Sequence, residues 1–260
     1  MRRLALVALA VLAAASCRPR EAEKAETPPA PQPAPVEQPQ PTAIPLTYES
    51  KTPFAEVKLT LPREIATVPD LHRKVFDEAV RDLRQFNEGA QADRTEYAGR
   101  EGMPPYSQFR DWTLAAQTPR LFSMKAAVSE YTGGAHPNNG YGAVLWDKAQ
   151  NRELQPAALF RQGFDQAALN RALCDAVTRA KRERIGADAP PFPNESWKCP
   201  AWTETAIVLA PSRTPGKAGG LTFLIGPYLV GPYAEGGYEI TLPTATIRPW
   251  LAPEYADQFA

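Results

Sequence analysis

The chain has 260 residues, with 29 basic and 29 acidic side chains, three cysteines and two histidines. A zero formal charge excludes a general nucleic-acid binder, which needs a basic surplus to neutralise phosphate. Three cysteines exclude a disulfide-dense scaffold, and two histidines exclude a three-histidine zinc site.

The N-terminus reads as an address. Arg2 and Arg3 precede an apolar run from Leu4 to Ala15. That run is too short to span a hydrocarbon core, which needs about 20 residues, and it fits the apolar region of a signal peptide. Ala14-Ala15-Ser16-Cys17 resembles a bacterial lipobox, with Ala14 where leucine is usual. Residues 1–16 are therefore expected to be removed and Cys17 lipidated. The competing reading is an ordinary secretory peptide with an incidental cysteine. Arg18, rather than aspartate, follows Cys17, which by analogy with the sorting rule implies the periplasmic side of the outer membrane. Loss of the leader leaves 27 basic against 29 acidic groups. Several acyl chains on one cysteine exceed the single-chain limit of marginal anchoring.

Residues 17–45 read as a tether. Proline, at 28 residues, is about twice as frequent as the usual ~5%. Eight of these prolines lie between Thr27 and Pro45. Proline fixes φ and removes an amide donor, so this stretch favours extended polyproline II over helix or sheet. Nineteen such residues reach on the order of 60 Å, enough to hold a folded body off a membrane.

The folded body begins near residue 46. Residues 54–61 alternate apolar and polar, the period of a half-buried strand. Pro69 opens an amphipathic helix carrying Leu71, Val75, Ala79, Leu83 and Phe86 on one face, with its end expected at Asn87-Glu88-Gly89. Residues 90–107 read as a loop. Residues 108–117 and 120–131 form a predicted hairpin about Thr118-Pro119. Residues 132–140 are a dense turn segment, 141–146 a strand, and 154–160 a strand running into a turn. Asp165 is a predicted N-cap for a second amphipathic helix, which ends in the basic run 179–184 before Gly186. Residues 203–209, 221–225 and 237–242 read as strands, and two short turns or helices close the chain. The order implies an α+β fold of antiparallel sheets, each packed by one main helix, in two sequential subdomains of residues 46–138 and 139–260.

With Cys17 assigned to lipid, Cys174 and Cys199 remain. An oxidising periplasm favours their disulfide, closing a loop of about 26 residues and contributing roughly 3 kcal/mol in the chain-entropy model. Two free thiols or a metal pair are the alternatives.

Chemistry-bearing motifs are sparse. There is no nucleophile elbow, zincin helix, phosphate loop or dinucleotide fingerprint. No cofactor, metal site or catalytic residue is expected. His136, in the glycine-bearing turn Gly133-Gly134-Ala135-His136-Pro137-Asn138, has the residue type for acid–base work or ligation, with Glu130 and Asp147 as possible partners; a turn histidine also serves as a structural hydrogen-bonding group. His72 reads as solvated helix surface. Glu235 with Glu239, and the run from Lys181 to Arg184, read as ordinary surface. In residues 226–238, Tyr228, Tyr233 and Tyr238 alternate with glycines. Aromatic rings on tight turns suit sugar or protein recognition, or else pack the sheet edge.

Two of these segments carry a family likeness. Tyr131-Thr132-Gly133-Gly134-Ala135-His136 is similar to the Y-x-G-G-A-H signature of the RsiV/PdaC-type extracytoplasmic domains. Leu221-Thr222-Phe223, Pro227-Tyr228, Gly231-Pro232-Tyr233-Ala234 and Gly236 resemble that family's closing motif, and Leu154 to Phe160 resembles its L-x-x-L-F step. The likeness covers about residues 46–260 and implies a PdaC-type N-terminal domain followed by an RsiV-like one. RsiV-type anti-sigma factors bind lysozyme through this domain. In PdaC-type proteins it accompanies a peptidoglycan deacetylase domain. The chain shows no sigma-binding segment, transmembrane helix or deacetylase domain, so neither role transfers whole.

The reading is a non-catalytic, lipid-anchored envelope protein that binds a lysozyme-like protein or peptidoglycan, with no nucleic-acid partner. Its expected binding residues are Tyr131, Gly133, Gly134, His136, Asn138, Tyr228, Tyr233 and Tyr238. The rival is a peptidoglycan-directed hydrolase or deacetylase in which His136, Glu130 and Asp147 converge in one cleft.

Overall fold

A computed structural model describes residues 44–96, 104–186 and 190–260. The leader, Cys17 and nearly all of the tether lie outside the described residues. The described residues from 44 onward form one compact unit.

Six strands form the first sheet: β1 (Thr47–Lys51), β2 (Ala55–Thr60), β3 (Tyr106–Gln117), β4 (Leu121–Tyr131), β5 (Asn138–Asp147) and β6 (Arg152–Glu153), paired in chain order. Neighbours are antiparallel except β2 and β3, which are parallel. The crossover that a parallel pair requires is helix α1 (Pro69–Glu96). In β2 the period-two pattern holds: Ala55, Val57 and Leu59 are buried while Lys58 is exposed. The predicted hairpin is β3–β4, with Ser107 opposite Tyr131 and Gln117 opposite Phe122. β5 continues the same sheet across residue 139, pairing Asn139 with Ser129 and Trp146 with Phe122.

The side chains of β4 and β5 alternate between two cores. Phe122, Met124, Val144 and Trp146 join Leu71, Val75, Ala79 and Leu83 of α1. Leu121 and Leu145, on the other face, join the second core. That core is built by a three-stranded antiparallel sheet, β7 (Ala206–Ala210), β8 (Gly220–Ile225) and β9 (Tyr238–Pro243), with helix α2 (Gln166–Ile185). Leu169, Leu173 and Val177 of α2 pack with Ile207, Phe223 and Ile240. β7 lies against the first sheet, and Ser123 Oγ accepts from the Leu209 amide at 3.1 Å. Two α+β halves, each with one main helix, are therefore joined sheet to sheet.

α1 runs beyond its predicted end and through Gly89. Ala90, one heptad after Leu83, is buried, and this burial offsets the roughly 1 kcal/mol that a mid-helix glycine costs. Residues 90–96, expected as loop, are therefore helix. His72 is buried rather than solvated: its Nε2–H donates to the Pro45 carbonyl at 2.6 Å and its ring stacks on Phe76. Residues 154–160 hold no long strand: β6 ends at Glu153 and a 3-10 turn spans Pro156–Leu159.

Asp165 caps α2 as expected, accepting from the Ala168 amide at 2.8 Å. Cys174 and Cys199 form a disulfide. Short helices α3 (Thr244–Ile247) and α4 (Pro253–Ala256) end the fold. α4 is fixed to the first sheet by charge. Arg120 spans Asp147 and Glu254, and the Tyr255 hydroxyl donates to Asp147 at 3.1 Å.

Candidate functional site

The turn between β4 and β5 and the segment between β8 and β9 meet. Gly133 and Gly134, both at φ 101, let residues 132–137 fold into a compact turn, and the Tyr131 hydroxyl donates to the Gly134 carbonyl at 3.3 Å. The turn presents His136 on the surface. From the other sheet, a 3-10 turn over Tyr233–Glu235 brings Tyr233 flat against the imidazole, with centroids 3.8 Å apart and an interplanar angle of 15°. Tyr228 completes the cluster, 6.5 Å from His136 and 5.4 Å from Tyr233.

Hydrogen bonds fix these rings. The Tyr233 hydroxyl donates to the Pro137 carbonyl at 2.5 Å and accepts from Asn139 Nδ2 at 2.7 Å. His136 Nδ1 lies 2.9 Å from the same carbonyl, which only accepts, so Nδ1 carries a proton. In the neutral ring Nε2 is then the acceptor facing the Tyr228 hydroxyl at 3.4 Å.

Tyr228 has an unusual backbone. Its φ is 68°, a left-handed value that side chains other than Gly, Asn and Asp seldom adopt. Pro227 precedes it, and the Leu229 amide reaches the Gly226 carbonyl at 3.4 Å. Proline followed by a positive-φ residue is the pattern of a type II turn, in which glycine is the usual third residue. Here that position holds a tyrosine with 54% of its surface exposed.

Tyr233 also lines a groove of about 470 Å³ between the first sheet and the β8–β9 segment. Phe109, Asp111, Ser129, Asn139 and Tyr141 line its other walls. Burial pushes the Tyr141 hydroxyl above its ordinary range, reinforced by Glu239 and opposed by Arg184, so it stays a protonated donor. The groove thus offers an aromatic face, a carboxylate, an amide and two kinds of hydroxyl.

Of the expected binding residues, the structure assembles Tyr131, Gly133, Gly134, His136, Tyr228 and Tyr233 in one place. Asn138 is exposed at the start of β5, and it is Asn139 that touches Tyr233. Tyr238 points away into the core, 2% exposed, donating to Glu235 at 2.6 Å. Burial, and then Glu235, raise its hydroxyl above the ordinary tyrosine range.

Asp147 does not join His136. It ends β5 nine residues after Asn138, about 30 Å away at ~3.3 Å per residue. There it is fully buried against Arg120 and Tyr255. Glu130 accepts from Gln108 Nε2 at 2.5 Å. The predicted convergence of His136, Glu130 and Asp147 is therefore not formed, because the length of β5 separates its ends. Among the described residues no three His, Cys, Asp or Glu side chains gather to hold a metal ion.

Sequence reasoning missed Lys181 and Glu235. Both were read as surface, yet their side chains are 9% and 7% exposed and pair at 2.5 Å. A signal was present: Lys181 falls four residues after Val177 and eight after Leu173, on the apolar stripe of α2.

Residues 48–139 match the family profile described as Deacetylase PdaC. This range holds the first sheet through the start of β5 and includes His136. Among solved structures, the chain is similar to a DUF3298-family protein from Bacteroides fragilis, at 16% identity and a TM-score of 0.50, covering 82% of this chain and 94% of that one. It is also similar to a DUF3298-family protein from Pseudomonas aeruginosa PAO1, at 18% identity and a TM-score of 0.46, covering 81% and 96%. No curated protein matches. The PdaC resemblance of the N-terminal half thus has a family match behind it, and the first structural likeness shows a shared fold.

Proposed function

We propose that this protein is a non-catalytic envelope lipoprotein whose aromatic groove binds a cell-envelope partner, with the glycan strand of peptidoglycan as the ligand the geometry favours. The observation that carries the reading is the stack of the exposed His136 on the half-buried Tyr233, with Tyr228 beside it, Tyr233 also lining a groove that bears Asp111, Asn139 and Tyr141. Flat rings flanked by a few convergent polar groups suit a sugar, which presents apolar faces and hydroxyl edges. The lipobox-like Cys17 and the proline-rich tether supply the address: an anchor in the outer membrane, a spacer, and a body that reaches into the periplasm. The RsiV-like character of residues 139–260 belongs to the same reading, and it makes a lysozyme-like protein the other partner to test.

The test is retention on purified sacculi and, separately, on immobilised lysozyme. The wild-type chain is expected to be held on sacculi, and Tyr233→Ala to be released. Retention on neither support above a control lacking residues 46–260 would remove the reading. Retention on lysozyme alone would replace the glycan with the protein. For the address, Cys17→Ser is expected to move the protein from the membrane to the soluble periplasmic fraction; an unchanged distribution would contradict anchoring.

A further inference from the structure

We infer that Lys181 and Glu235 are positioning residues for the aromatic site, acting as a clamp that holds the β8–β9 segment in its binding shape. The inference rests on the proposed role of that site and adds how it is set from a distant helix.

α2 touches the segment at points spaced to control both the exposed Tyr228 and the half-buried Tyr233. Lys181 Nζ donates to the Val230 carbonyl at 2.7 Å, two residues after Tyr228. It also donates to Glu235 Oε1 at 2.5 Å, two residues after Tyr233. One turn further along α2, Arg184 Nη1 donates to the carbonyls of Glu235 and Gly237, both at 2.8 Å, and its guanidinium lies 3.6 Å from the centre of the Tyr238 ring. Tyr238 donates to the same Glu235 oxygen as Lys181. The end of α2 thus holds the segment at Val230, Glu235 and Gly237, with Tyr228 and Tyr233 just ahead of the first two.

The local sequence is shaped to admit the clamp. A Cβ on Gly231 would lie 1.7 Å from Glu235 Oε2 and 2.9 Å from Lys181 Nζ. Glycine at 231 leaves room for the carboxylate to reach the ammonium. A buried ion pair is weak evidence for stability, because the desolvation of both charges offsets their attraction. What this pair does secure is geometry, since its ammonium is shared between two points of one segment. Without it, the stretch from Gly226 to Gly237 keeps its flanking strands and the Arg184 contacts but loses its ties to α2 at Val230 and at the Glu235 carboxylate.

The experiment uses the full chain with Lys181→Met, which keeps the apolar stem and removes the donors. Its partner is Lys181→Met/Glu235→Gln, which leaves no unpaired charge. Two readouts are taken: the ring-proton NMR shifts of His136, displaced by the stacked Tyr233 ring, and retention on sacculi. Circular dichroism reports the fold. The expected result is a folded protein whose His136 shifts relax toward those of an unstacked histidine. Retention is expected to fall about tenfold or more, the loss typical of a displaced interface aromatic. Lys181→Arg is expected to restore part of both. Folded variants with unchanged His136 shifts would overturn the inference. Shifts that relax while retention holds would keep the clamp and overturn the binding role of the site. If neither variant folds, Lys181 is a core-stability residue and the inference fails.

Discussion

Replacing Tyr228 by glycine separates the two uses a tyrosine has at that position. A side chain in left-handed conformation costs about 1–2 kcal/mol, which glycine relieves. Glycine adds backbone freedom to the unfolded chain, and this opposes the gain by roughly 0.5–1 kcal/mol. The ring contacts with His136 and Tyr233, at 6.5 and 5.4 Å, are lost. For a ring more than half exposed, they contribute at the low end of about 0.5–1.5 kcal/mol. These effects nearly cancel, so Tyr228→Gly is expected to change stability by no more than about 1 kcal/mol, a shift of roughly 2–4 °C in Tm for a fold of this size. Retention on sacculi is expected to drop about 30-fold, as for an aromatic anchor worth some 2 kcal/mol. Thermal melts and the retention assay on one preparation decide the matter. Destabilisation beyond about 2 kcal/mol with retention intact would show that Tyr228 packs the fold and that its strained backbone serves no ligand.

Three further outcomes are expected. Tyr233→Phe keeps the stack but removes the hydroxyl that bridges Asn139 and Pro137; it should lower stability by about 1–2 kcal/mol while retaining most binding, and equal loss from Phe and Ala would contradict the stacking role. Burial alone would raise the Asp147 carboxyl, but Arg120, the Gln150 amide and Tyr255 together hold it below its ordinary value. A depressed folded pKa gives stability that is present above the unfolded value near ~3.9 and lost as pH falls through the folded one. Asp147→Asn should thus cost about 3 kcal/mol at neutral pH and flatten the acid limb of a pH–stability curve; an unchanged limb would refute the assignment. Cys174→Ser should lower stability by roughly 3 kcal/mol, near 6–12 °C in Tm, and make the melt insensitive to reductant.

The strands and helices that carry clear periods were readable in advance: β2 from its alternation, α1 and α2 from their apolar stripes, and the β3–β4 hairpin from its turn. Asp165 announced the start of α2. The end of α1 was misplaced because Gly89 looked like a stop, whereas the burial of Ala90, a tertiary effect, carries the helix through. β1 escapes detection because its inward face is short, with only Tyr48 packing against the core and Thr47, Glu49 and Lys51 exposed. The parallel pairing of β2 with β3 follows from the path of α1 and leaves no local mark. The Gly-Gly-Ala-His turn and the Tyr228 and Tyr233 segment were both singled out, yet their union depends on how the two sheets stack. Glu235 and Lys181 looked solvated because their charge is matched only across 54 residues of chain. The same long-range matching sends Tyr238 inward, although its spacing in sequence resembles that of Tyr228 and Tyr233.

The most direct test of the account is a titration of a soluble Cys17→Ser chain with purified glycan fragments of peptidoglycan, followed by NMR of His136 and the tyrosine rings. The account predicts saturable shifts at His136, Tyr228 and Tyr233, smaller ones at Tyr141, and none at the Asp147–Tyr255 joint. Saturable shifts confined to other surfaces, or none at fragment concentrations that saturate sacculus retention, would contradict it.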